Sequence, residues 1–263
     1  QPNAMGGREV GGLATMLAAH MDIENPEHRQ LVQQFWQSPN MATAQGLDAT
    51  SMFDAVGDGR IKAIWIMATN PAVSLPEAEK VRKALNDCEF VVVSDCIADT
   101  ETTRCADVLL PALTWGEKDG TVTNSERCIS RQRPLLPAPG DARADWQIIC
   151  DVATRMGYGD AFSFDGPDEI FREHAALSAY GNEGERLFNL SGLADQQKAD
   201  YDALEPVQWP VDGRESCGRL FRPGDTDRVL KMQPIEPSLL AINTSEDWPL
   251  VLNSGRMRDQ WHT

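Results

Sequence analysis

Residues 90–133 read FVVVSDCIADTETTRCADVLLPALTWGEKDGTVTNSERCISRQR, and the order of apolar and polar residues along them decides the fold class. Phe90, Val91, Val92 and Val93 make a short β-branched run of the kind that forms a buried strand, and the run stops at Ser94 and Asp95. A second apolar run, Val108 to Leu110, ends at Pro111. Beyond it Glu117, Lys118, Gly120, Asn124, Glu126 and Arg127 are spread over a segment too polar for a core, so a loop is expected there. Polar groups thus gather just past two strand ends, where an open α/β sheet leaves a crevice for ligands. Ordinary turns recruit the same residue types, so position alone leaves both readings open.

Working upstream, IKAIWIM over 61–67 is a core strand, followed at once by Ala68, Thr69, Asn70 and Pro71. Asn-Pro after a strand favours a turn, and Pro76 is placed to start a helix over 77–86 with Val81 and Leu85 inward. Strand, helix, strand with short connections is a βαβ unit, expected to cross over right-handed. A further helix from near Thr100 should lead to the strand at Val108. Earlier helices are expected over 27–37 and 51–56, and QPNAMGGREVGG over 1–12 reads as a flexible glycine-rich loop. Downstream, DWQIICDVATRM over 145–156 has helical spacing and ends at Gly157, with Asp145 placed to cap its first turn.

The pattern weakens between 158 and 247. Helices over 167–179 and 183–190 fit, but Pro206, Pro210, Pro223, Pro234 and Pro237 interrupt the rest, which reads as a long surface connector. A strand over 249–253 precedes Ser254, Gly255, Arg256 and the closing Trp261, His262 and Thr263, a sequence resembling a ligand loop more than a tail. The fold class expected is α/β: a three-layer αβα, Rossmann-like, mostly parallel cofactor domain over 1–157, a partly helical connector over 158–247, and over 248–263 the start of a C-terminal β domain.

Composition sets outer bounds. The chain has 263 residues, with 24 basic against 40 acidic side chains and a formal charge of −16, which argues against nucleic acid as a partner. No run is long enough to span a membrane, and the residues after Gln1 do not form a secretion signal. The absence of an initiator Met and the dense motif ending at Thr263 lead us to expect a segment of a longer polypeptide. Arg127, Arg131 and Arg133 cluster, as do Arg256 and Arg258; Arg131 and Arg133 read as surface charges. The six cysteines, at 88, 96, 105, 128, 150 and 217, form no Cys-x-x-Cys and have no His at ligand spacing, so they argue for neither zinc nor an iron–sulfur cluster and point to a reducing, cytoplasmic setting.

Five pieces, QPNAMGGREVGG, ATNPAVSLP, VVVSDCIADTETTRCADVLLPA, EKDGTVTNSERCISRQR and SGRMRDQWHT, occur in that order over nearly the whole chain. Together they resemble the molybdopterin oxidoreductases that carry a molybdenum bis(molybdopterin guanine dinucleotide) cofactor, and within that group the bacterial assimilatory nitrate reductases. The resemblance implies that Asn70 lies beside the nucleotide arm. Ser94 and Asp95 would bind guanosine, Lys118 would supply a positive group, and Asp145 would accept from the guanine edge. It also implies that Ser254, Gly255, Arg256, Trp261, His262 and Thr263 close over a cofactor arm, and that Arg8 faces a substrate funnel. No metal ligand is implied within the segment; a [4Fe–4S] cluster and a molybdenum-binding Cys would stand upstream. Implied partners are nitrate and an electron donor, either ferredoxin, flavodoxin or an NADH-linked reductase. A formate dehydrogenase of the same superfamily, or a non-catalytic structural module of a redox complex, are the rival readings.

Overall fold

The computed structural model describes residues 3–213, 220, 234–237 and 244–251. The chain divides into two compact units, Pro2–Ser216 and Cys217–Thr263 together with Gln1. All the helices and strands among the described residues lie in the first. The helices are α1 (Ala4–Glu9), α2 (Pro26–Trp36), α3 (Ala49–Gly57), α4 (Pro71–Ser74), α5 (Ala78–Asp87), α6 (Asp145–Arg155), α7 (Pro167–Ala179) and α8 (Lys198–Asp202). The strands are β1 (Ala63–Met67), β2 (Phe90–Asp95), β3 (Val108–Pro111), β4 (Gly120–Thr123), β5 (Cys128–Gln132) and β6 (Val207–Gln208).

The chain is α/β, with β1, β2 and β3 forming a parallel sheet in that order. Ile66 pairs with Val93, and Met67 with Ser94. Because strand side chains alternate, Ile66, Val91 and Val93 share one face, where they pack with Phe53 of α3 and Val81 and Leu85 of α5. Val81 and Leu85 are one helical turn apart and so present a single stripe to the sheet. Burying each such side chain contributes about 1.5–3 kcal/mol. The opposite parity carries Trp65 and Ser94, whose indole N–H donates to the serine hydroxyl at 2.8 Å.

The connection from β2 to β3 departs from expectation. A helix near Thr100 is replaced by a single 3-10 turn, Thr103–Cys105. The Thr100 amide donates to the Thr103 hydroxyl at 2.7 Å and the Thr103 amide to the Thr100 hydroxyl at 3.1 Å. Threonine hydroxyls that bond nearby backbone in this way compete with helix continuation.

A second, antiparallel sheet, β4-β5-β6, occupies the stretch expected to be a polar loop. Thr121, Val122 and Thr123 pair across a tight turn with Arg131, Ser130 and Ile129. Asn124 Oδ1 accepts from the amides of Glu126 at 2.9 Å and Cys128 at 3.0 Å, while Arg127 adopts the left-handed conformation (φ 67°) that closes the turn. The signal for this hairpin was the β-branched run Thr121, Val122, Thr123 leading into an Asn-led turn.

Residues 158–213 are not a surface connector. Phe171, Ala175, Leu177, Phe188, Leu190, Leu193, Tyr201 and Trp209 are all buried, and β6 completes the antiparallel sheet. α7 forms as expected, but 183–190 runs as bends and irregular chain instead of a helix. The Asn182 carboxamide donates to the carbonyls of Ser178, Arg186 and Phe188, holding this segment by side-chain contacts that carry no helical period.

Two further expectations change. QPNAMGGREVGG forms α1 and then a tight turn, where Gly11 (φ +73°) allows an approach in which a Cβ would stand 2.5 Å from the Ala18 nitrogen. Arg131 is no surface charge: its side chain is 2% exposed, its Nη1 lies 2.6 Å from Asp119, and its guanidinium stacks 3.9 Å over the Tyr201 ring. Residues 249–251 carry no strand, and residues 252–263 lie outside the described residues.

Candidate functional site

The C-terminal ends of the parallel strands are joined by a ladder of backbone bonds that continues beyond the sheet. The Ala68 amide donates to the Ser94 carbonyl at 3.0 Å, and the Ala112 amide to the Asp95 carbonyl at 3.0 Å. Ala112 then bridges in parallel to Arg143, with Leu113 donating to the Arg143 carbonyl and Arg143 to the Pro111 carbonyl. Asp145 follows two residues later as the first residue of α6. Four chain segments at the roughly 4.8 Å spacing of paired strands set a row about 14 Å long. Asn70, Asp95 and the Lys118–Asp145 pair are delivered along this row.

At the β1 end, Ala68 is held in the left-handed region (φ 53°), an uncommon conformation for a residue with a side chain. Asn70 follows, its Oδ1 accepting from the buried Thr102 hydroxyl at 2.6 Å and its Nδ2 donating to Glu101 at 3.2 Å. Thr102 also accepts from the Ala72 amide at 3.2 Å, so one hydroxyl fixes both the Asn70 side chain and the start of α4. Two groups hold the Glu101 carboxyl below the usual carboxylate range, its own backbone amide first and the Asn70 side chain second.

At the β2 end, Ser94 is 1% exposed, and its hydroxyl is taken up by Trp65. Asp95 is half-buried and accepts from the Ile97 amide at 2.9 Å through Oδ1. Beyond β3, a 3-10 turn (Trp115–Glu117) is closed by the Glu117 carboxylate accepting from the Thr114 amide at 2.8 Å. This turn presents Lys118, whose ammonium lies 2.5 Å from Asp145 Oδ2, with both side chains below a third exposed at 28% and 29%.

Asp145 is the first residue of α6 and Ala144 its N-cap, so its carboxylate does not stand at the cap position. Its second oxygen, Oδ1, is buried and has no hydrogen-bond partner. Buried carboxylate oxygens are normally satisfied, and one left open beside a lysine at a strand-end row is an acceptor awaiting a donor.

Arg8 stands apart. It is exposed on α1, which packs on β4 and on the 3-10 turn Ala18–His20, not on the row. Ser254, Gly255, Arg256, Trp261, His262 and Thr263 lie outside the described residues. Among the described residues no group of three or more His, Cys, Asp or Glu side chains could hold a metal ion, and no helix is long and apolar enough to cross a membrane.

Reading the sequence missed two sets of residues: Thr102, which orients Asn70, and the Glu9, Thr123 and Trp209 cluster that anchors α1. Thr102 had a faint signal in a Thr-Thr pair directly after Glu101. The cluster had none, since its members lie 114 and 200 positions apart.

Residues 3–155 match the family model described as Molybdopterin oxidoreductase. The chain belongs to that family. Among relatives of this molybdopterin oxidoreductase chain, a nitrate reductase of Klebsiella oxytoca is 54% identical over 263 residues, covering 100% of this chain and 30% of the relative. The assimilatory nitrate reductase catalytic subunit of Bacillus subtilis is 34% identical, covering 100% of this chain and 37% of the relative. An F420-dependent formate dehydrogenase subunit alpha of Methanocaldococcus jannaschii is 32% identical, with the same coverage of 100% and 37%. The chain therefore spans between 30% and 37% of the length of these relatives.

Family membership implies a molybdopterin cofactor, and the strand-end row fits one. It is long enough for an extended group, and it offers an open buried carboxylate oxygen beside a lysine at one end.

Proposed function

We propose that this chain is the central cofactor-holding segment of a molybdenum nitrate reductase, binding the guanine dinucleotide arms of a bis(molybdopterin guanine dinucleotide) group. The unsatisfied, buried Oδ1 of Asp145 beside Lys118 carries the reading. A carboxylate in that position accepts two adjacent N–H groups of the kind a guanine edge offers, and Lys118 holds the other oxygen in place. Asn70 and Asp95, farther along the row, serve the nucleotide arm, with Asp95 accepting from ribose hydroxyls. Ser94 contributes by fixing Trp65 and the β2 end.

When bound, the molybdenum group supplies oxygen-atom transfer, by which nitrate, two electrons and two protons give nitrite and water. Arg8, an exposed cation on α1, draws the anion inward. The 54% identity to a nitrate reductase, against 32% to a formate dehydrogenase subunit, favours nitrate over formate. Retention of Lys118 and Asp145 with an open acceptor favours a working site over a structural module. The rest of the proposal is a [4Fe–4S] cluster and a molybdenum ligand upstream, a C-terminal domain beginning near 248, a cytoplasmic setting, and a ferredoxin, flavodoxin or NADH-linked donor.

The test uses the full-length protein. Nitrate-dependent oxidation of a reduced viologen, without formate-dependent dye reduction, is the expected result; the reverse would replace the substrate. Asp145→Ala should weaken cofactor retention by about 10–100-fold per lost charge-assisted bond, read as molybdenum and guanine content. Unchanged content would remove Asp145 from the site.

A further inference from the structure

α1 carries Arg8, yet little in its own sequence holds it still. It is six residues long and contains Gly6 and Gly7. A helix this short is marginal on its own, and each interior glycine weakens it further. Packing does not compensate, because a cavity of about 110 Å³ lies against it, lined by Gly6, Gly7, Glu9, Thr121, Thr123 and His174. Gly6 is closed over by the Asn3 side chain, but at Gly7 nothing lies within 4 Å of where a Cβ would stand, so on that side the helix has room to shift.

Hydrogen bonds supply what packing does not. Glu9 ends α1 and is 3% exposed. Its Oε2 accepts from the Thr123 hydroxyl at 2.8 Å and its Oε1 from the Trp209 indole N–H at 2.7 Å. At the other end of the helix, Asn3 Oδ1 accepts from the Thr123 amide at 2.9 Å. Thr123 therefore grips both ends of α1, and Glu9 adds a third point on Trp209. Successive helix residues point about 100° apart, so a Glu9 driven inward leaves Arg8 directed outward.

We infer that Glu9 is a positioning residue for the reaction: its buried carboxylate fixes α1 against β4 and Trp209, and so sets where the Arg8 cation meets the anionic substrate. The inference rests on the reading of Arg8 given above. It assigns Glu9 a role of geometry, not of charge. Burial pushes the Glu9 carboxyl above the usual range, partly offset by its bonds to Thr123 and Trp209. Glutamine can keep both contacts, because its carbonyl accepts from Trp209 while its NH₂ donates to a rotated Thr123 hydroxyl.

The experiment compares Glu9→Ala, Glu9→Gln, Thr123→Val and Arg8→Ala in the full-length protein, each checked for molybdenum content. With Glu9→Ala and Thr123→Val, KM for nitrate should rise about tenfold with kcat little changed, a misplacement effect. Amide exchange over 3–12 should accelerate in both. Glu9→Gln should rescue both readouts across the pH range. If Arg8→Ala raises KM while Glu9→Ala and Thr123→Val leave it unchanged, the positioning role is overturned. If Glu9→Gln fails as badly as Glu9→Ala, charge rather than geometry is at work and the inference is again wrong. An Arg8→Ala protein with unchanged KM would instead sink the reading of Arg8, whatever the exchange data show for the helix.

Discussion

His174 should make this chain acid-sensitive. The imidazole lies 5.3 Å from the Phe188 ring and lines the cavity beside Glu9, and His20 lies 5.2 Å from the same ring. Burial, followed by the neighbouring charge of His20, lowers its pKa from 6.5 to about 4. The unfolded chain therefore takes up a proton as pH falls through 6.5, while the folded chain does not until about 4. Stability is lost across that window at up to about 1.4 kcal/mol per pH unit, or roughly 3 kcal/mol in all. That is an upper figure, since water in the cavity would soften the penalty on the charged ring. His20, lowered by burial and by Arg8, adds in the same sense. Glu9 works the other way, because its raised pKa favours the folded state at the acid end. Comparing variants removes both. Urea unfolding of this chain and of His174→Asn, followed between pH 7.5 and 4, should show the variant less stable at neutral pH from lost packing. The gap should close by roughly 3 kcal/mol toward pH 4. Two curves that fall in parallel would refute the assignment of a neutral, desolvated His174.

Other expectations follow from single contacts. Asn25 Oδ1 accepts from the Glu27 amide at 2.9 Å at the start of α2, so Asn25→Ala should lower stability by about 1 kcal/mol in a urea titration. Thr102→Val would strip the Asn70 carboxamide and the Ala72 amide of a buried partner, a loss of about 1–3 kcal/mol that thermal unfolding can read. Arg131→Lys keeps the charge but forfeits the fork that reaches Asp119 and the Tyr201 carbonyl and the stacking on the Tyr201 ring. It should lose about 3 kcal/mol, and a smaller loss than that of Thr102→Val would mean the guanidinium geometry is not being used.

What the sequence determined by itself was everything with a local period. The β-branched runs that became β1 and β2, the Val81 and Leu85 stripe of α5, and the boundaries of α7 all follow from which residues recur every two or every three to four positions, since that alone decides which side of an element is apolar. The strand-end placement of Asn70, Asp95 and Lys118 came with it, because residues just past a buried strand in a parallel sheet have one edge on which to stand. Only the tertiary structure decided the rest. It joined Lys118 to Asp145 and left one carboxylate oxygen open, turned a polar stretch into the β4–β5 hairpin, and drew 158–213 into a second core through Phe188 and Leu190. It also buried Glu9 between Thr123 and Trp209 and sank Arg131 under Tyr201. These contacts join positions far apart in the chain, and their partners are selected by how whole elements close on one another, which no local repeat encodes.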